Sequence, residues 1–304
     1  IYNLSIIVSL KLNSILNFIN KMQYTANMVN FIKMHGIGND FVILDCRDGK
    51  KISQIAAKEI ADRKFGIGCD QIIIIKNPIY NNDVYLEFRN SDGSISSSCG
   101  NGTRCAARLI FDEKLKEKIT IETKAGVLDA WIDKKSNLIS VDMGKPNFQW
   151  NEIPISKNLD HEKVNLGENA PGKAFCLSMG NPHAVFFVEN LNSIDLSKLG
   201  PIFENHPLFP ERANISFAHV LTKSKIIMKV WERGVGITKA CGSGACAVAV
   251  AANKLSKIDT FCEVILDGGI LNVNLSNNGN VHLKGPIESS FQGTLGQRLA
   301  NLIQ

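Results

Sequence analysis

The fold of this chain is decided by two short stretches, Ser98-Cys99-Gly100-Asn101-Gly102-Thr103-Arg104-Cys105 and Ala240-Cys241-Gly242-Ser243-Gly244-Ala245-Cys246. Each stretch places a cysteine directly before Gly-x-Gly and leads into a run with helical spacing of apolar residues. The spacing predicts helices over residues 103–116 and 244–256. The first cysteines of the two stretches are 142 residues apart. They therefore have the form of two copies of one structural unit.

Two further pairs of polar residues repeat the same spacing. Asn39 and Asn181 each precede an apolar run, and they too are 142 residues apart. Asn90 and Glu232 share this spacing and stand at equal distances before the two cysteines. Three matches in one register predict a duplicated lobe, with a site where the two lobes face each other.

The chemistry of a helix start explains why two such units would face each other. The unpaired backbone N–H groups there carry partial positive charge and can bind a carboxylate, and glycine lets the ligand approach closely. A cysteine at that position is expected to have a pKa lowered toward neutrality, because its thiolate is stabilised. One thiolate could then remove a proton from a substrate carbon while the other thiol returns one from the opposite face. This pattern predicts inversion of a stereocentre.

The composition is that of an ordinary globular protein with room for two lobes. The 304 residues are 44% hydrophobic and 21% charged, with a net charge of +5 and no dense basic block, so nucleic-acid binding is not expected. The eight cysteines do not form a small secreted framework. Neither Cys99/Cys105 nor Cys241/Cys246 has the spacing of a zinc knuckle, so no metal is expected. A free catalytic thiol pair favours a reducing compartment.

Residues 1–27 stand apart from this pattern. Their apolar residues follow helical spacing with Asn, Ser and Lys between them. They are interpreted first as an extension outside the catalytic fold, translated upstream of a start at Met28. A targeting peptide is the second interpretation. A membrane span is the least favoured, because no run approaches ~18 apolar residues.

Six motifs together resemble the diaminopimelate epimerase family. They are Met34-His35-Gly36-Ile37-Gly38-Asn39-Asp40-Phe41, Asn90-Ser91-Asp92-Gly93-Ser94, Cys99-Gly100-Asn101-Gly102, Gly180-Asn181-Pro182-His183-Ala184-Val185, Glu232-Arg233-Gly234 and Ala240-Cys241-Gly242-Ser243-Gly244. The resemblance covers about residues 28–293. It implies an α+β fold of two pseudo-symmetric lobes, each a curved, mostly antiparallel sheet around a central helix. We expect an N-terminal lobe over 28–143, completed by 286–295, a C-terminal lobe over 144–285, and a tail over 296–304.

The resemblance also implies an activity and a set of site residues. The family interconverts LL- and meso-2,6-diaminopimelate in lysine and peptidoglycan-precursor biosynthesis, without a cofactor or metal, as a cytoplasmic homodimer. Cys99 and Cys241 match the two acid/base groups, while His183 and Glu232 match residues that tune them. The positions that match substrate contacts are Asn39, Gln71, Asn90, Gly100, Asn101, Asn181, Asn214, Glu232, Arg233, Gly242 and Ser243.

Other interpretations stay open at this point. A related racemase for another amino acid, such as a proline-racemase-like protein, would share the paired cysteines. A non-catalytic binding protein or a redox thiol sensor could use the same fold. The chain departs from the family in the loop before Cys241, where Ile237 replaces a residue that is usually acidic and Lys239 adds a positive charge. We expect the departure to affect loop support rather than the proposed bases.

Overall fold

The structure, a computed structural model, describes residues 28–304, so the interpretations of residues 1–27 lie outside it. The strands are β1 (Asn30–Gly36), β2 (Asn39–Asp45), β3 (Gln71–Lys76), β4 (Val84–Asn90), β5 (Ile95–Ser96), β6 (Lys118–Thr123), β7 (Gly126–Asp133), β8 (Leu138–Asp142), β9 (Phe175–Ser178), β10 (Pro182–Phe187), β11 (Asn214–Thr222), β12 (Lys225–Glu232), β13 (Gly236–Ile237), β14 (Phe261–Leu266), β15 (Gly269–Leu275), β16 (Val281–Gly285) and β17 (Glu288–Thr294). The helices are α1 (Gln54–Ala61), α2 (Gly100–Lys114), α3 (Leu196–Glu204), α4 (Gly242–Lys254) and α5 (Gln297–Ala300).

The strand pairing of β1–β8 is repeated by β9–β16. In the first set β2 and β3 pair in parallel, β3 and β4 antiparallel, and β4 pairs in parallel with β6 across the inserted α2. The second set repeats these three pairings across α4, with β10 next to β11, β11 next to β12 and β12 next to β14. The antiparallel ladder β6–β7–β8 likewise corresponds to β14–β15–β16. The repeat confirms the predicted duplication.

Each copy wraps its sheet around one helix. The first two turns of α2 are buried, and Cys105, Ala106 and Ile110 pack in one core with strands of the first set. Nearly all of α4 is buried, and its small residues from Ala245 to Ala252 pack in a second core. Alanine favours a helix and allows the surrounding strands to approach closely. The chain is therefore an α+β protein of two similar lobes, as expected.

The pairing of β8 with β16 joins the two halves of the sheet. β8 runs antiparallel to β16, with Val141 opposite Leu283. The final strand, β17, returns to pair with β1, with Phe31 opposite Gly293. The two central helices therefore lie in neighbouring compartments, and their N-termini approach each other where the compartments meet. Among residues 28–304, no helix has both the length and the apolar character needed to cross a bilayer.

Candidate active site

The two cysteines cap the N-termini of the two central helices. The amide of Gly102 donates to Sγ of Cys99 at 3.4 Å, and the amide of Gly244 donates to Sγ of Cys241 at the same distance. Both cysteines have extended backbones, so each helix begins at the glycine that follows its cysteine. Sequence patterning predicted later starts, at residues 103 and 244, because glycine is a weak helix former. The thiols and the free helix amides thus share one location.

A cavity of about 520 Å³ lies between the two helix starts. The predicted site residues that line it are Asn39, Gln71, Asn90, Cys99, Gly100, Asn101, Asn181, Asn214, Glu232, Arg233, Cys241, Gly242 and Ser243. His183 does not line the cavity. It is fully buried behind Asn181, and its Nε2 lies 2.9 Å from Oδ1 of that residue. The structure therefore brings thirteen predicted residues to one cavity and places His183 one residue behind it.

In the first lobe, Cys99 faces an amide oxygen. Its Sγ donates to Oδ1 of Asn39 at 3.9 Å. The orientation of the Asn39 amide is fixed because its Nδ2 donates to Oδ2 of Asp70 at 2.8 Å. The same Oδ1 accepts from Nδ2 of Asn101 at 3.2 Å. Asp70 therefore acts on Cys99 through Asn39.

In the second lobe, Cys241 has a hydroxyl and a carboxylate nearby. Its Sγ lies 3.6 Å from Oγ of Ser243, and Nδ2 of Asn181 donates to that hydroxyl at 3.3 Å. The carboxylate is Glu232, which accepts from Oγ1 of Thr238. Cys241 is 4% exposed, whereas Cys99 is partly exposed in the cleft. The second thiol is thus the more enclosed of the two.

The expected lowering of the thiol pKa values is wrong for the ligand-free site. Burial raises the pKa of Cys99 to about 12, and the charge of Glu232 adds to this. Burial and then Glu232 raise the pKa of Cys241 well above its ordinary value. The helix amides act in the opposite direction but do not outweigh the loss of solvent around the thiolate. Both cysteines are therefore thiols at neutral pH before a ligand enters.

The ends of corresponding strands supply the remaining polar side chains. Gln71 begins β3 and donates from Nε2 to Oδ1 of Asn90, which ends β4, at 2.9 Å. Asn214 begins β11 in the corresponding position, and its Oδ1 accepts from the backbone amide of Arg233 at 3.0 Å. These pairs occupy the ends of neighbouring strands, so the sheet register determines where their side chains lie.

Sequence patterning missed the residues that hold the site from behind. Glu204 is 5% exposed and accepts from Trp231 Nε1 at 2.6 Å, from the Gly234 amide at 2.7 Å and from Arg212 Nη1 at 3.2 Å. It therefore fixes the turn that carries Glu232 and Arg233. Asp70 is equally hidden in the sequence, although its position directly before Gln71 could have drawn attention to it.

The unusual loop residue Ile237 lies away from the thiols. It is 54% exposed in β13 and borders a second cavity with Lys33, Arg63 and Lys239. This second cavity adjoins the first, and Asn39, Asp70, Val235 and Thr238 line both. The departure from the family pattern therefore changes the neighbouring cavity and not the surface that faces the thiols.

Solved structures with the same fold define the class. A PhzF-family phenazine biosynthesis protein of Bacillus anthracis matches with a TM-score of 0.64 at 15% identity, over 88% of this chain and 98% of that one. A hydroxyproline epimerase of Agrobacterium vitis, solved with trans-4-hydroxy-L-proline, matches with a TM-score of 0.65 at 12% identity, over 89% and 93%. The chain thus has the two-lobed fold of these proteins.

Closer relatives identify the family. The diaminopimelate epimerase family model matches residues 31–149 and 175–288. A diaminopimelate epimerase of Rhodospirillum centenum is 44% identical over 271 residues, covering 88% of this chain and 93% of that protein. The enzyme of that name from Pelagibacter ubique is 43% identical over 265 residues, covering 85% and 96%. The chain belongs to the diaminopimelate epimerase family.

Proposed function

We propose that this chain interconverts LL- and meso-2,6-diaminopimelate by inverting one α-carbon, in lysine and peptidoglycan-precursor biosynthesis. The observation that carries the proposal is the pair of N-capping thiols, Cys99 and Cys241, that line one polar cavity. Family membership supplies the substrate class, and the geometry supplies the chemistry.

The substrate α-carboxylate binds at the paired helix starts in this proposal. The backbone amides of Gly100, Asn101, Gly242 and Ser243 are the donors, and the two helix dipoles favour the negative charge. When the α-proton leaves, more negative charge develops on the same carboxylate. Donors that are already in place stabilise that charge without reorganising.

The two cysteines carry out the two proton transfers at the α-carbon. One of them, as a thiolate, removes the α-proton while the other, as a thiol, delivers a proton to the opposite face, so the carbon inverts. Because both are thiols in the ligand-free site, one must lose its proton when the substrate binds. Glu232, next to Cys241, is the acceptor we infer, and His183 influences the same thiol through Asn181 and Ser243.

Contacts with the distal end of the substrate select diaminopimelate over smaller amino acids. Arg233 can hold the distal carboxylate with two donors. The side-chain amides add neutral donors and acceptors, and they belong to Asn39, Gln71, Asn90, Asn181 and Asn214. This proposed chemistry uses no pyridoxal phosphate and no metal, so the lobes must exclude water from the carbanion.

The test is proton NMR of the purified, reduced, pyridoxal-free protein with LL-diaminopimelate in D₂O. We expect meso product that carries deuterium at the inverted carbon. A panel with proline and trans-4-hydroxyproline distinguishes a related racemase. Folded protein that forms no meso product and exchanges no α-proton would overturn the proposal, and turnover of a proline substrate alone would reassign it.

Three further points belong to the proposal. We infer a homodimer that works in the cytoplasm, and light scattering of the purified protein at several concentrations tests the dimer.

We place the lobe boundaries at 28–143 with 286–295 and at 144–285. The separate cores around α2 and α4 support that division, and limited proteolysis between residues 143 and 174 tests it.

A further inference from the structure

Arg104 is a buried cation that the proposed chemistry has not used. It lies in the second turn of α2 and is fully buried. Its Nε and Nη1 have no hydrogen-bond partner within residues 28–304. Burial lowers its pKa, and the ionisable neighbours that act on it are the thiols Cys105, Cys99 and Cys246 rather than carboxylates. Burying such a group without a counter-ion costs free energy, which suggests that Arg104 has a function at this position.

Two glycines make room for its guanidinium group. A Cβ atom on Gly36, at the end of β1, would lie 3.1 Å from Nη2 of Arg104. A Cβ atom on Gly285, at the end of β16, would lie 3.3 Å from its Cζ. The guanidinium therefore occupies a space bounded by strands of both halves of the sheet, next to Asn101, which lines the cavity.

Among the described residues, the one side-chain hydrogen bond of Arg104 is made to a residue at the start of α2. Its Nη2 donates to Oδ1 of Asn101 at 3.0 Å. This bond fixes which end of the amide is the oxygen, so Nδ2 points to two acceptors. It donates to Oδ1 of Asn39 at 3.2 Å and to the carbonyl oxygen of Ala240 at 3.4 Å.

Those two acceptors lead to the two thiols. Asn39 is the residue whose Oδ1 faces Sγ of Cys99, and Ala240 directly precedes Cys241. Asn101 is 2% exposed, so water does not compete freely for these bonds. The amide of Asn101 therefore links the two cysteine-bearing segments, and it can do so in only one orientation.

We propose that Arg104 is a positioning residue for the reaction: it fixes the Asn101 amide so that Asn101 sets the relative placement of Cys99 and Cys241. The inference rests on the proposed function. It concerns the placement of two reacting groups, which matters most in the transition state, so we expect an effect on kcat with little change in KM.

The experiment measures epimerisation by Arg104→Met, Arg104→Lys and Arg108→Met. Arg108 is the matched control, because it lies one turn further along α2, is partly exposed and pairs with Asp112 at 2.9 Å. We expect Arg104→Met to lower kcat roughly 10- to 100-fold, the range for a lost charge-assisted hydrogen bond. Lysine can still donate to Asn101 and should recover most of the rate, and the control should stay within about twofold.

A double-mutant cycle tests whether Arg104 acts through Asn101. We expect Arg104→Met with Asn101→Ala to be no slower than Asn101→Ala alone, because the second change removes what the first one positions. Methionine replaces an unpaired buried charge with an apolar chain of similar length, so the Tm should stay close to that of the wild type.

The outcomes separate this inference from the proposed function. A wild-type protein that is inactive in D₂O defeats the proposed function and this inference with it. An active wild type with an equally active Arg104→Met variant overturns the positioning role alone. Losses that multiply in the double-mutant cycle would also overturn it. So would an Arg104→Met variant that unfolds while Arg104→Lys stays inactive, because Arg104 would then serve the stability of the fold.

Discussion

The two halves of the site hold their asparagines in opposite orientations. In the first lobe, Asp70 accepts from Nδ2 of Asn39 and leaves Oδ1 to face Cys99. In the second, His183 lies against Oδ1 of Asn181 and leaves Nδ2 to donate to Ser243 beside Cys241. The same residue type at corresponding positions thus presents an acceptor to one thiol and a donor near the other.

The charges differ as well. Glu232 in the second lobe corresponds to Asn90 in the first, so the second half of the cavity has a carboxylate beside Cys241 where the first half has a neutral amide. Cys241 is also the more enclosed thiol. The duplication therefore supplies two similar frames, and the substitutions between them make the two thiols chemically distinct.

Removing either thiol tests the comparison most severely. Cys99→Ala and Cys241→Ala should each lower epimerisation by about 10³-fold or more, because each inversion needs both a proton acceptor and a donor. Cys262→Ala removes a buried thiol that does not line the cavity and should retain most of the activity. Product formation is followed by NMR, with circular dichroism as a check of folding. Full inversion by either active-site variant would refute a two-thiol mechanism.

Exchanging the charge between the halves tests what makes the thiols distinct. Glu232→Gln should lower the pKa of Cys241, because a neighbouring negative charge that opposes the thiolate is removed. It should also lower kcat roughly 100-fold if Glu232 accepts the thiol proton. Asn90→Asp adds a carboxylate to the other half and should raise the pKa of Cys99.

Alkylation by iodoacetamide at a series of pH values, with mass spectrometry of each cysteine, measures both pKa values of the ligand-free variants. In the wild type we expect slow modification of both thiols at pH 7.5, rising steeply only above pH 9. Rapid alkylation of the wild type at neutral pH would contradict the protonated state of the thiols.

Weakening the support behind Arg233 should have a smaller effect, confined to the second half. In Glu204→Gln the side chain keeps its shape but loses the negative charge that accepts from Trp231, Gly234 and Arg212. The turn that carries Arg233 should loosen, which raises KM about tenfold and lowers kcat less. Trp231 fluorescence should shift in the same variant, because its indole N–H loses a charged acceptor. An unchanged KM with a shifted spectrum would show that the turn does not depend on Glu204.

The sequence predicted what is local and repeated. Cys99 and Cys241, with the paired asparagines, could be placed from a shared register, because one lobe was copied with its strand ends. Asp70 and Glu204 could not, because each acts on a residue about 30 positions away with no pattern between them. The thiol pKa values were predicted in the wrong direction, since a helix start is visible in sequence and the burial of its cap is not.

The last prediction concerns stability and not the rate, and it tests the groups that hold the two asparagines. Burial lowers the pKa of His183 to about 3, with a further contribution from Arg233, so His183 is neutral when folded. The unfolded chain takes up a proton at about pH 6.5, and the folded protein does not. The contribution of neutral His183 to the free energy of unfolding is therefore fully present above pH 6.5 and is lost as the pH falls toward 3.

Urea unfolding of the wild type and of His183→Gln at pH 7.5, 5.5 and 4 measures this contribution. Glutamine can still donate to Asn181 but does not titrate. We expect the wild type to lose roughly 2–3 kcal/mol more than the variant between pH 7.5 and 4. Parallel losses would mean that His183 is protonated in the folded state, and the Asn181 amide would then be held by a charged group. In that case the second asparagine, like the first, would be fixed by an ion, and the two halves would differ less than the structure indicates.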